Sequence, residues 1–192
     1  MSSVAKIYNE LILLMNIKYL ILILSQVLFS QTKLEQAVIK ELNFYRKKHG
    51  LVALTYDVKS SEMARYHAIY LKTMNELGYS SLDYSSEQLH NERINLPHFK
   101  EMTFEERARQ VLPIRWVGEI LIQCSLKLKN DQETAKAIIN AFHNSPGHRK
   151  AMQFSINPKI LDRVTPVVSI SVIETDSVCP IVVNIDLGYL EK

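Results

Sequence analysis

Ser145-Pro146-Gly147-His148-Arg149 is the stretch on which the reading of this chain turns. Serine is a strong N-cap residue, because its hydroxyl accepts from a backbone N–H that the first helical turn leaves unpaired. Proline suits the first helical position, where its missing N–H costs nothing. The run therefore predicts a helix starting at Pro146, with the Ser145 hydroxyl as its cap and His148 third in line. The positive end of a helix dipole disfavours imidazolium. His148 is thus expected as a neutral ring, able to bind a metal or accept a proton. Ser145, spent as a cap, is not expected to be a nucleophile.

Working outward, residues 133–143 form an amphipathic helix pattern with Ala137, Ile138 and Ala141 on one side. Residues 116–124 are apolar apart from Glu119 and Gln123. A carboxylate in that setting must be paired, metal-bound or partly neutralised, since burying a lone charge is costly. A salt bridge of purely structural meaning satisfies the same requirement. Near the start, Leu34, Val38, Leu42 and Tyr45 predict a helix over residues 32–49 that stops at Gly50. Asp57 opens a second helix with Met63, His67, Leu71 and Met74 on one stripe, ending near Gly78. Residues 79–102 are polar, aperiodic and carry Pro97 and His90, so they are expected to be a long loop. Thr103 and Glu106 make a capping box for a short helix from Phe104. Residues 164–173 and 180–187 are rich in β-branched side chains and predict two strands joined near Asp176. Helices first and strands last indicate an α+β fold, a short antiparallel sheet covered by helices.

The 192 residues are 47% hydrophobic and 22% charged, which excludes a disordered chain and sets one domain as the default. A net charge of +3, dispersed apart from the pair Lys47-Lys48, excludes a nucleic-acid footprint. Residues 1–30 stand apart. Lys18 precedes an apolar run of about 11 residues ending at Phe29, and Ser30-Gln31 follow, the pattern of a secretory signal peptide. Met15 would make a tidier start. The run is short of the ~20 residues a membrane span needs, but residues 7–15 are apolar too, so an uncleaved anchor is the alternative. Any membrane association is expected through this segment alone, with residues 31–192 as one domain and a monomer. In an oxidising compartment Cys124 and Cys179 are candidates for a disulfide. Two unrelated buried thiols are the other reading.

Several of these motifs together resemble the CAP superfamily of cysteine-rich secretory, antigen-five and pathogenesis-related proteins, its bacterial SCP-like members above all. Leu42-Asn43-x-Tyr45-Arg46 resembles the first family helix, and Ala64-x-x-His67-Ala68-x-x-Leu71 the second. Leu89-His90-x-Glu92, Leu96-Pro97-x-Phe99 and Thr103-x-x-Glu106-Arg107-Ala108 resemble the loop that follows. Gly118-Glu119-Ile120 is similar to the Gly-Glu-Asn motif, residues 184–188 to the last strand, and Ser145-Pro146-Gly147-His148-Arg149 is the most specific match. The resemblance implies an α-β-α sandwich with a cleft of two histidines and two glutamates, whose histidines hold zinc or another divalent cation in several members. His90 falls on the first histidine, Glu119 on the first glutamate and His148 on the second histidine. The second glutamate is absent: Ala141-Phe142-His143-Asn144 stands there, and whether His143 substitutes is left open. His67 lies on the apolar stripe of its helix, as a hydrogen-bonded core residue or as a ligand next to the cleft.

Two imidazoles and a carboxylate can bind zinc and leave a position for water. A metal-free cleft with Glu119 bonded to an imidazole is the competing state. The favoured function is a secreted binding module for a lipid, sterol, peptide or glycan, since no nucleophile is paired with a base in any motif. The alternatives are a zinc-dependent hydrolase or protease with Glu119 as general base, and a structural or interaction protein at the cell surface.

Overall fold

The computed structural model describes residues 31–79, 85–92, 96–111, 114–124, 128–175 and 181–192. The expected signal or anchor segment and the candidate Cys124–Cys179 disulfide fall outside the described residues, Cys124 being described by its backbone alone. Thr32–Lys192 form one compact unit. Among the described residues no helix is long and apolar enough to cross a membrane.

Helix α1, Lys33–Lys48, begins at a capping box in which the Thr32 hydroxyl accepts from the Glu35 N–H and the Glu35 carboxylate accepts from the Thr32 N–H. It stops where Gly50 takes φ 69°, a left-handed conformation that glycine adopts without strain. Strand β1 is Thr55–Tyr56, and α2, Val58–Glu76, is capped by Asp57 at 2.7 Å from the Ser60 N–H. Its stripe Met63, His67, Leu71 and Met74 is buried. The expected long loop contains a one-turn helix, α3, Ser86–Leu89, and a short bridge between Glu92 and Met102. Helix α4, Phe104–Ala108, carries the Thr103–Glu106 capping box. Strand β2, Ile114–Cys124, is followed by α5, Asp131–Asn144, and α6, Pro146–Met152. A 3₁₀ turn, Pro158–Ile160, leads into β3, Val164–Glu174, and β4, Ile181–Glu191.

The strands form one sheet in the order β1-β3-β4-β2. The three long strands are antiparallel, and β1 adds a short parallel edge on β3. Periodicity did not expose β2 because Ile120, Leu121 and Ile122 run consecutively: both faces of the strand are covered, so hydrophobicity does not alternate. Side chains nevertheless alternate across the sheet. Ile120, Ile185, Val183, Leu187 and Ile170 point to one face and pack with Leu42, Ile138, Phe142 and Met152 of α1, α5 and α6. The opposite face packs on α2 through Leu121 with Val182 and through Val167. Helices thus cover both sides of the sheet. Between α2 and the sheet lies a buried polar layer of His67, Ser169, Ser171, Asn184 and Asp186.

Candidate functional site

The sequence places a carboxylate in the apolar β2, and the structure supplies its partners. The Glu119 side chain is 2% exposed. Its Oε1 accepts from the Arg107 guanidinium, and its Oε2 accepts from His90 Nδ1 at 2.6 Å. The second terminal nitrogen of Arg107 donates to Glu92, which also accepts from His67 Nδ1 at 2.6 Å. Two carboxylates thus grip one guanidinium, and each holds an imidazole. Arg107 comes from α4, and the Asn91 side-chain oxygen, accepting from the Phe104 N–H at 2.8 Å, ties that helix to the His90 segment. The Glu92–Met102 bridge closes the same loop. His67 and Glu92 are fully buried, while the His90 side chain is 24% exposed. His90 is therefore where the network meets solvent.

The electrostatics follow from burial and neighbours. Burial alone would push the Glu119 carboxyl up, but the charges of His67, Arg107 and His90 and the His90 hydrogen bond outweigh it and hold the group at about 2. Burial would pull Arg107 down; Glu119, Glu92 and Asp186 raise it instead. Asp186 sits directly opposite Glu119 on β4 and opposite Ser169 on β3. The Ser169 hydroxyl donates to it at 3.0 Å. Burial first, and the Glu119 charge second, push the Asp186 carboxyl well above its usual range. The two facing carboxyls are thus pushed in opposite directions, Glu119 down and Asp186 up.

His148 is third in α6, with Pro146 at its start. The expected cap is absent: Ser145 occupies the N-cap position, but its side chain makes no capping hydrogen bond. His148 is half-buried, edge-on to Phe142 with ring centroids 5.2 Å apart. Its pKa is lowered, by burial first and by the charge of His90 second. Ala151 of the same helix lies against Gly118 of β2, next to Glu119 and its partner His90. His143 lies elsewhere, with Nδ1 3.1 Å from the Tyr45 hydroxyl on α1.

The family model for CAP, the cysteine-rich secretory protein family, matches residues 39–153. The chain belongs to the CAP family. No curated protein matches it. Among solved structures the CAP domain is similar to an outer surface protein from Borrelia burgdorferi, at 17% sequence identity and a TM-score of 0.51, covering 85% of this chain and 96% of that one. At that identity the likeness concerns the fold.

The donors of the cleft fit a divalent ion only in part. Two imidazoles, His90 and His148, suit zinc. Glu119 has both oxygens committed to Arg107 and His90. Among the described residues no group of three or more His, Cys, Asp or Glu side chains is placed to hold an ion. Glu119 is instead placed as the carboxylate behind His90, fixing its tautomer and aiming Nε2 outward, an outer-partner role common to metal-binding histidines. Three members of the network were not singled out from sequence: Glu92, Arg107 and Asp186. Asp186 had the same signal as Glu119, a carboxylate inside an apolar strand. Arg107 and Glu92 had none beyond their place in the loop motifs.

Proposed function

We propose that this CAP domain is a binding module exposed at the cell surface or outside the cell, and that it takes its ligand with His90 and His148 in the cleft beside β2. The observation that carries the reading is the state of Glu119. Both of its oxygens are engaged, and its carboxyl is held at about 2. A general base works best with a pKa near the operating pH, so this carboxylate suits positioning better than proton abstraction. The surface location is supported by the secretory pattern of residues 15–31 and by the description of the similar Borrelia protein as an outer surface protein. A divalent ion in the cleft would rest on His90 and His148, with water or ligand filling its other positions. Incubation of the full-length protein with casein peptides and p-nitrophenyl esters, with and without added zinc, tests the reading. It predicts no turnover that depends on Glu119. Hydrolysis abolished by Glu119→Gln would replace the binding module with a hydrolase.

A further inference from the structure

We propose that the ligand of this cleft is an extended acidic peptide that adds as a strand along the outer edge of β2. The inference rests on the binding-module reading and names its ligand class. The sheet order puts β2 at an edge. Which of its backbone groups point outward follows from the other edge. The Val168 carbonyl accepts from the Asp57 N–H at 3.0 Å, the Ile170 N–H donates to Ser61 at 3.3 Å, and the Val172 N–H donates to Glu35 at 3.0 Å. Even-numbered residues of β3 therefore face away from β4. Antiparallel pairs alternate between bonded and non-bonded, so the β3–β4 register makes Val183, Ile185 and Leu187 the β4 residues that bond to β2. Their partners Ile122, Ile120 and Gly118 bond inward. Glu119 and Leu121 therefore turn their N–H and C=O to the outer edge. Across the irregularity between Trp116 and Gly118, Trp116 does so as well.

Part of that edge is open. Leu121 is buried, but Glu119 as a residue is partly exposed while its side chain is only 2% exposed, so its exposed surface is backbone. Val117 is 47% exposed. Among the described residues no backbone hydrogen bond from another segment reaches the Trp116–Glu119 edge. Two cavities meet there. One of about 540 Å³ is lined by His90, Phe104 and Glu119, the other of about 690 Å³ by Pro146, Arg149, Lys150 and Phe154, and Val117 lines both. The edge thus runs through a trough with a wall on each side. Exposed edges are usually blunted by lysine, proline or inward charges. Residues 116–119 offer the first two nowhere, and their one charge, Glu119, is cancelled by Arg107.

Charge selects the peptide. Arg149 and Lys150 line one wall and His90 lines the other, against the exposed Glu105. Walls on both sides admit a single extended chain and obstruct the whole sheet edge of a second copy. Strand addition supplies affinity through the main chain and specificity through alternate side chains.

The test uses the full-length protein and blocked octapeptides of alternating Thr and Val, with Glu, Gln or Lys at one central position. Amide hydrogen exchange and calorimetry are the readouts. The Glu peptide is expected to bind roughly tenfold more tightly than the Gln peptide, and to slow exchange at Trp116 and Glu119. N-methylation of alternate peptide nitrogens is expected to abolish binding, and Lys150→Gln to reduce the preference for Glu. Unchanged exchange at Trp116 and Glu119 with every peptide at millimolar concentration overturns the proposal, as does binding indifferent to N-methylation. A doubled mass in light scattering, with those amides protected in the absence of peptide, assigns the edge to a second copy and also overturns it. Native mass spectrometry of protein recovered from its producing cells separates the two readings. A bound mass lost in His90→Ala, with no edge protection by peptides, removes strand addition and keeps the binding module.

Discussion

The two faces of the sheet are held by different physics. One is apolar throughout: Ile120, Ile185, Val183 and Leu187 meet Leu42, Ile138 and Phe142 with almost no exposure. The other carries Asp186, Ser169 and Asn184 beneath α2, with Glu119 and Arg107 at its edge. Burial stabilises the first face residue by residue. The second is stable only while its charges stay matched, because each buried ion has lost its water. The site is built where the second kind of face reaches the sheet edge, at His90. The stable face anchors β2 and α6, and the charged face aims a side chain at solvent.

The sharpest way to break this comparison is at Arg107. Arg107→Met leaves two buried carboxylates without their cation, and a loss of about 3–5 kcal/mol is expected in urea unfolding. Adding Glu92→Gln and Glu119→Gln to that variant is expected to restore much of the loss, which a purely steric defect would not allow. On the apolar face, Phe142→Ala is expected to cost about 3–5 kcal/mol through the cavity it leaves.

The pH profile separates the faces further. The folded-state pKa of Asp186 is raised, so its contribution is full below the unfolded value near 3.8 and is lost as pH rises toward the raised value. Asp186→Asn is therefore expected to gain on the wild type as pH increases, measured by thermal unfolding across pH. A constant difference between the two would mean that Asp186 is ionised in the fold. A smaller effect is expected at His148. Its depressed pKa favours the neutral ring, so its contribution is present above about 6.5 and declines as pH falls. In His90→Ala the lesser of its two depressing causes is gone, and the His148 ring protons in NMR are expected to titrate at a higher pH than in the wild type. No movement would place the two imidazoles apart.

Much of the fold was legible in the sequence. The stripes of α1 and α2, the Thr103–Glu106 box and the β-branched runs of β3 and β4 each announce themselves locally. Strand β2 did not, because a strand covered on both faces loses its alternation. The site was half legible. Glu119, His90 and His148 stand out by residue type and motif, yet what Glu119 does depends on Arg107, Glu92 and Asp186, each brought to it by the fold. The Ser145 cap was a local inference from propensity that the local geometry does not use.

The central claim is that Glu119 is a locked, ionised carboxylate that positions His90. Titration of the Glu119 carboxyl carbon by NMR in the intact protein tests it most directly. Its signal is expected to stay that of a carboxylate as pH is lowered until about 2. A midpoint near neutrality would contradict the account, because Glu119 would then be free of Arg107 and poised as a general base.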